Sequence, residues 1–121
     1  MTIPKEATDL DSRNIALEIA AAFERKIGED VKILKVEKLT TLADYFVIAT
    51  GGSSTQVRAL ADEAEDRLKN LGLPQPRREG HSGDAWILLD CNTVIAHVFT
   101  KQARDYYALE KLWADAEVIT L

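Results

Sequence analysis

The segment Gly51-Gly52-Ser53-Ser54 combines two glycines with two hydroxyls between an apolar run and a helical pattern. Because the first free N–H groups of a helix carry partial positive charge, such a segment could hold an anion. A nucleotide-binding P-loop, however, needs a lysine followed by serine or threonine, and here the chain continues with Thr55, Gln56 and Val57. The pattern therefore favours a tight turn and a helix cap, in which the side chain of Ser53 and that of Gln56 satisfy free backbone donors.

Acidic residues are the second feature that could do chemistry, because a glycine-serine turn opening a helix also begins the active site of nucleotidyltransferases. Metal-dependent nucleotidyl transfer needs closely spaced carboxylates that hold two cations about 4 Å apart. Asp84 and Asp90 flank one predicted strand at opposite ends, and Asp44 precedes another. No two acids stand two positions apart on one strand face, so the chain is predicted not to be an enzyme. A nucleotide-binding or nucleotidyltransferase-like enzyme stays as the alternative function.

His81, His97 and Cys91 are the remaining candidates for metal binding or nucleophilic chemistry. Their spacing matches no zinc-ligand motif, so no metal site is expected. Cys91 has no neighbour in the sequence placed to lower its pKa, which favours an inert thiol. His97 falls in strand phase with Ile95 and Phe99, where a hydrogen-bonded sheet histidine is expected. The sequence thus predicts no catalytic residue.

Composition and charge narrow the class of protein. A chain of 121 residues fits one domain, which we place at residues 9–121 after a flexible tail at residues 1–8. Lysine and arginine total 15 against 20 aspartates and glutamates, giving a net charge of -5. Since phosphate-driven affinity needs clustered cations, RNA contacts are expected to be peripheral at most. The single cysteine and the lack of a secretory signal or membrane span favour a cytoplasmic location, with no membrane partner.

Hydrophobic periodicity predicts the elements of the first half of the chain. Apolar residues recur at helical spacing over residues 9–28, and Gly28 is predicted to end that helix. Residues 31–39 are rich in β-branched types and predict a strand near one sheet edge. Residues 45–49 are apolar on both faces, which predicts an inner strand covered from above and below.

A second helix is predicted after the glycine-serine turn. Residues 57–71 carry one apolar stripe, and Gly72 and Pro74 end the pattern. Glu63 with Arg67 and Glu65 with Lys69 stand four residues apart, so exposed ion pairs are predicted along this helix.

The second half of the chain is predicted to hold a loop, a hairpin and a closing helix. Residues 73–84 are polar and turn-prone, which predicts a solvent-facing loop. Residues 85–89 and 94–99 predict two strands joined by a short turn as an antiparallel hairpin. Apolar and aromatic residues over 106–116 predict the last helix. The order α-β-β-α-β-β-α has adjacent strands without an intervening helix, so we predict an α/β domain of the α+β type, with helices packed on a mixed β-sheet.

Several motifs taken together resemble the ribosomal silencing factor family, which is related to Iojap. They are residues 44–51 with 53–57, then 79–80, 86–90, 94–99 and 104–113, in this order. The resemblance covers residues 10–116. It implies a fold similar to the nucleotidyltransferase architecture without its catalytic acids, and no cofactor.

The resemblance also implies a function and a partner. Members of this family bind the large ribosomal subunit through its fourteenth protein, on the face that meets the small subunit. They block subunit joining by occupying space, which represses translation when nutrients are short, and a role in large-subunit biogenesis is implied as well. The residues themselves leave open a homodimer formed through an apolar sheet face or helix.

Trp86 is the predicted centre of the docking surface, because the resemblance places the family's docking tryptophan there and tryptophan is over-represented among binding centres. The alternative is that Trp86 belongs to the core. On the last helix, Leu109, Leu112 and Trp113 are predicted to be core, which leaves Tyr107, Lys111 and Arg104 as predicted rim contacts. The full set of predicted partner-binding residues is Trp86, Glu79, Gly80, Asp84, Leu88, His97, Tyr107, Lys111 and Arg104.

Overall fold

The computed structural model describes residues 5–119, with side chains from Ser12 onward. It confirms the α+β class and the predicted order of elements, and it adds two strands. The predicted tail falls partly outside the described residues, and the first helix begins at Lys5 instead of residue 9. The elements are α1 (Lys5–Arg25), β1 (Glu29–Lys35), β2 (Tyr45–Gly51), α2 (Ser54–Asn70), β3 (Arg77–His81), β4 (Trp86–Asp90), β5 (Val94–Thr100), α3 (Lys101–Tyr107), α4 (Leu109–Leu112) and β6 (Glu117–Ile119).

The strands form one six-stranded mixed sheet in the order β3-β4-β5-β2-β1-β6. β2 and β5 are parallel, and the other neighbouring pairs are antiparallel. The predicted β4–β5 hairpin is therefore confirmed. β2 lies inside the sheet with all seven residues buried, as its two-sided apolar pattern predicted. β1 lies next to the edge, where the short strand β6 covers it, and it ends at Lys35 instead of residue 39.

Gly28 was predicted to end the first helix, and α1 does end shortly before it, at Arg25, but Gly28 does not adopt the left-handed conformation. The residue with positive φ is Ile27, at 62°, and its N–H donates to the carbonyl of Glu24 at 3.0 Å. Gly28 follows, and its N–H donates to the carbonyl of Phe23 at 2.7 Å. A Cβ at Gly28 would lie 2.8 Å from that carbonyl oxygen. Gly28 is thus needed for a close approach of the backbone, while Ile27 bears the strained conformation.

The start of α2 confirms the predicted cap. The Ser53 side chain accepts the backbone N–H of Gln56 at 3.1 Å. The Gln56 side chain does not return to Ser53 but donates to the carbonyl of Lys26, so it links α2 to the end of α1. The predicted apolar stripe is buried at Val57, Leu60, Ala61, Ala64 and Leu68, whereas Leu71 is 41% exposed beyond the last turn.

The ion pairs predicted within α2 are replaced by pairs between elements. Arg67 Nε lies 2.8 Å from Glu18 of α1, and Arg25 Nε lies 3.8 Å from Glu63. Arg78 of β3 lies 2.9 Å from Glu65. The prediction was wrong because α1 and β3, on either side of α2, bring opposite charges closer than one helical turn does.

The loop predicted at residues 73–84 is also wrong in part, because Arg77–His81 forms the edge strand β3. All five of its residues are exposed, so its sequence carries no apolar alternation. The strand forms because the outer edge of β4 needs backbone partners, and residues after the α2 turn lie within reach.

The closing helix begins earlier than predicted and is broken. Thr100 caps α3 by accepting the N–H of Ala103 at 3.2 Å, and Ala108 interrupts the helix with φ at 49°. Leu112 is 76% exposed, so its predicted place in the core was wrong. Leu109 and Trp113 are partly buried.

Two buried clusters hold the sheet, one on each face. The first lies under α1 and α2 and contains the inward residues of β1, β2, β4 and β5. The second lies on the opposite face around Phe46, Ile48 and Phe99, and residues from 103 to 116 cover it. No helix within residues 5–119 combines the length and apolar character needed to cross a bilayer.

Candidate protein-docking site

Part of the second sheet face remains uncovered at β3 and β4. Residues paired across neighbouring strands lie on the same face of a sheet. α3 packs on β5 and β2, so it leaves the surface toward β3 accessible. We call the surface formed by Glu79, His81, Trp86 and Leu88 the open face. Its cross-strand pairs are His81 with Trp86, Trp86 with Phe99, Glu79 with Leu88, and Leu88 with His97.

Trp86 is the centre of the open face, and four rings contact it, those of His81, His97, Phe99 and Tyr107. Its ring lies 5.1 Å from Phe99 in a stacked arrangement, 4.7 Å from Tyr107 and 4.9 Å from His81. The residue is half-buried. Trp86 therefore packs against the second cluster without being sealed inside it, and its role as a docking centre stays a prediction.

The indole N–H of Trp86 donates to Nδ1 of His97 at 3.3 Å. This confirms the predicted hydrogen-bonded sheet histidine. His97 is only 5% exposed, and burial lowers its pKa to about 4. The ring is therefore neutral, with its proton on Nε2, and it has almost no surface to offer a partner directly.

Tyr107 extends the open face toward α3. Its hydroxyl lies 2.9 Å from the Ser82 hydroxyl in the β3–β4 turn. Beside it is a shallow groove of about 370 Å³, lined in part by Gln102 and Tyr106. Tyr106 is 81% exposed. The structure thus brings Tyr107 next to Trp86, and both residues belong to the predicted partner-binding set.

Two other predicted residues point away from Trp86. Gly80 pairs with Ile87, whose side chain belongs to the cluster under α1 and α2. The Asp84 carboxylate lies on this side as well, 3.5 Å from Arg58 of α2. A Cβ at Gly80 would lie 2.5 Å from an Asp84 oxygen. Gly80 and Asp84 therefore shape the β3–β4 turn instead of lining the open face.

Arg104 is buried, which corrects its prediction as an exposed rim contact. Its Nε donates to Glu110 at 2.7 Å, and its Nη1 donates to the Asp30 carbonyl and the Thr50 hydroxyl, both at 2.8 Å. Its Nη2 lies 3.5 Å from the Asp30 carboxylate but outside hydrogen-bonding geometry. The guanidinium joins α3 to β1, β2 and α4, and so acts within the fold.

Lys111 is exposed but lies apart from Trp86. It lines a polar cavity of about 620 Å³ together with Arg104, Thr50 and Lys101. Thr50 stands on β2, two strands from β4. Of the nine predicted residues, the structure therefore gathers Trp86 and four others around the open face, namely Glu79, Leu88, His97 and Tyr107.

The candidates for catalysis were the Cys91 thiol, the glycine-serine turn before α2 and possible metal ligands. Burial raises the pKa of the Cys91 thiol to about 12, so it is protonated at neutral pH. The Ser53 hydroxyl is engaged in the α2 cap, and a Cβ at Gly51 would lie 2.9 Å from the Val57 nitrogen. Within the part of the chain described with side chains, no three His, Cys, Asp or Glu residues are placed to hold a metal ion.

Sequence reasoning missed Phe99 and His81 as neighbours of Trp86. The hairpin register could have found Phe99, because the turn at residues 91–93 sets it opposite Trp86. His81 had no such signal, since it depends on β3, whose exposed residues lack alternation.

These observations define a small α+β domain with a partly accessible tryptophan on an uncovered part of a mixed sheet, bordered by Tyr107 of α3. A family model described as ribosomal silencing factor during starvation matches residues 9–121. The chain therefore belongs to the ribosomal silencing factor family, and with it to ribosome-associated regulators of translation.

Known relatives and a solved structure agree with this assignment. The chain is 39% identical over 112 residues to ribosomal silencing factor RsfS of Bacillus subtilis, covering 93% of this chain and 95% of the relative. A crystal structure of a protein from Chromobacterium violaceum superimposes with a TM-score of 0.81 and 37% identity, covering 85% of this chain and 86% of that one. A mouse protein named mitochondrial assembly of ribosomal large subunit protein 1 is 26% identical over 98 residues, covering 78% of this chain and 43% of its own length.

Proposed function

We propose that this chain acts in the cytoplasm as a steric inhibitor of ribosomal subunit joining. It binds the fourteenth protein of the large subunit through the open face, and its bulk then keeps the small subunit away. The observation that carries this proposal is Trp86, partly accessible and held by four rings on a domain of the silencing factor family. No chemical step is part of the action.

The geometry of the open face suits a protein partner. A binding centre needs a large side chain that loses little freedom on docking, with polar groups around it. Trp86 is held before any partner arrives, and Leu88 lies beside it in strand phase. The exposed side chains of Glu79 and His81 form a polar border on β3. This arrangement supports docking by contact and desolvation.

Replacing Trp86 by alanine tests the site. Trp86→Ala is expected to weaken binding to the isolated ribosomal protein by about 2 kcal/mol or more, which is roughly 30-fold in Kd, since truncated binding centres cost this much. Isothermal titration calorimetry gives the Kd, and circular dichroism verifies the fold. Leu42→Ala is the matched control. Leu42 is 69% exposed in the loop between β1 and β2, and β5 separates these two strands from β4 in the sheet. An unchanged Kd for Trp86→Ala removes this residue from the site.

Sedimentation tests the action on ribosomes. The protein is expected to sediment with large subunits and not with small ones, and to lower the fraction of joined ribosomes in a reassociation mixture. Trp86→Ala should leave that fraction near the level without added protein.

Two further measurements test the alternatives. If the protein turns over nucleoside triphosphates with magnesium, the alternative enzymatic function gains support. Analytical ultracentrifugation of the protein alone decides whether a homodimer takes part.

A further inference from the structure

We propose that His97 is a positioning residue for docking, which fixes the Trp86 ring through the bond from the indole N–H to Nδ1. The proposal rests on the function argued above, in which Trp86 contacts the partner. His97 itself does not touch the partner, because only 5% of its surface is accessible.

The two side chains meet across neighbouring strands. Trp86 begins β4, and His97 on β5 pairs with Leu88, two positions further along. This diagonal separation lets the indole nitrogen reach Nδ1 at 3.3 Å. A partly accessible tryptophan held only by ring contacts can still turn about its side-chain bonds. The hydrogen bond selects one ring orientation, because the donor has a fixed place on the indole.

His97 is itself held on the sheet. Its ring meets Phe46 edge-on at 5.2 Å, and it lies parallel to Phe99 at 6.1 Å. Phe46 in turn meets Trp113 edge-on at 5.2 Å. The acceptor for Trp86 is therefore attached to packed rings and not to a mobile side chain, as positioning requires.

The tautomer of His97 follows from the same bond. Nδ1 accepts, so the proton of the neutral ring is on Nε2. Within the described residues, Nε2 is buried and has no hydrogen-bond partner. Burying a donor without a partner is unfavourable, whereas phenylalanine would fill a similar volume without that cost. The histidine is thus better explained by the acceptor that it presents to Trp86 than by packing alone.

Matched variants separate the acceptor from the packing. His97→Phe keeps a ring and removes the acceptor, and His97→Asn keeps an acceptor oxygen close to the position of Nδ1. We expect His97→Phe to weaken partner binding about tenfold or more, and His97→Asn to restore the Kd to within roughly threefold of wild type. Trp86→Phe, which removes the donor and leaves His97 intact, should weaken binding as well, and His97→Phe added to it should cost little more.

A spectroscopic readout needs no partner. In nuclear magnetic resonance spectra, the Trp86 indole proton should exchange with solvent faster in His97→Phe than in wild type and His97→Asn. The proposal is overturned if His97→Phe folds, binds as wild type does and leaves that proton protected.

The proposal is also overturned if Trp86→Phe binds as wild type does while Trp86→Ala binds weakly, a result that leaves the docking function in place. Should Trp86→Ala bind normally, the docking site fails first, and this proposal fails with it. If His97→Phe does not fold, Trp86→Phe and His97→Asn decide the question.

Discussion

The burial of His97 makes the stability of the domain depend on pH. Burial lowers the pKa of this imidazole from 6.5 to about 4. Between these two values the unfolded chain binds a proton that the folded chain does not, so stability falls as the pH drops from 6.5 toward 4. The rings of Trp86, Phe46 and Phe99 pack around His97. None of these side chains is acidic, so none can form an ion pair with a protonated His97.

Urea unfolding measures this dependence. Wild type is expected to lose about 2 kcal/mol of unfolding free energy between about pH 7 and about pH 5. His97→Asn has no titrating group at this position, so its stability should change much less over the same interval. Glu110 contributes mainly at lower pH, because the hydrogen bond from Arg104 lowers the pKa of its carboxyl below 4.5. Equal losses in both proteins would show that another group titrates.

Arg104 shows how one residue type can be misread from sequence. Arginine is usually exposed, so its place beside Tyr107 and Lys111 suggested a rim contact. The structure instead gives its guanidinium acceptors from Asp30, Thr50 and Glu110. These residues are 74, 54 and 6 positions away in the chain, so no local pattern reveals the network. A buried charge is retained where such partners surround it.

The C-terminal ends of the two long helices, α1 and α2, can be compared directly. Both helices end with the same pair of backbone bonds, and the left-handed residue is Gly72 after α2 but Ile27 after α1. A β-branched residue with positive φ is strained, whereas glycine adopts this conformation freely. Because Ile27 is 80% exposed, its side chain gains little from packing in return.

Ile27→Gly is therefore expected to raise the unfolding free energy by about 1 kcal/mol, measured by urea denaturation. Gly72→Ala is the matched opposite change. Its φ is 74° and no atom lies within 4 Å of the added Cβ, so only the backbone conformation should lower stability, again by about 1 kcal/mol. A loss of stability in Ile27→Gly would mean that the exposed side chain contributes more than its surface suggests.

The elements predicted correctly are those whose own residues carry the pattern. α2 has both its cap and its apolar stripe in sequence, and β2 is apolar throughout. β3 could not be predicted, because all its side chains are exposed and the strand depends on an edge supplied by β4. The break at Ala108 also lacked a signal, since alanine favours helix.

The residues that surround the candidate site also could not be predicted from local sequence, because they depend on the fold of the whole chain. Trp86 and Leu88 could be selected by residue type and alternation along one strand. Which side chains surround them depends on sheet order and on where α3 crosses the sheet, and these are set by the full chain. Residue type thus selected Trp86 as the candidate centre, whose docking role stays a prediction. Its neighbours Phe99 and His81 were not predicted, and Gly80 and Asp84, which belong to the predicted set, lie on the other side of the sheet from its ring.

The overall charge leads to a prediction about docking on the large subunit. A chain with a net charge of -5 gains little from ribosomal RNA, because binding to phosphates depends on releasing counterions with clustered cations. A contact made by Trp86 and Leu88 is apolar and is hardly screened by salt. We therefore expect the affinity for large subunits to change less than about tenfold between about 50 mM and about 200 mM monovalent salt, with magnesium held constant.

Sedimentation at the two salt concentrations measures this change. A surface that neutralised six or more phosphates would lose about 1,000-fold or more over the same interval, so the two modes of binding are well separated. Trp86→Ala should be weaker by a similar factor at both concentrations, because removing an apolar contact does not alter the number of displaced ions. Binding of the isolated ribosomal protein, which carries no RNA, should show the same small salt dependence as the intact subunit. A steep loss with the subunit alone would place RNA, and not protein, at the contact.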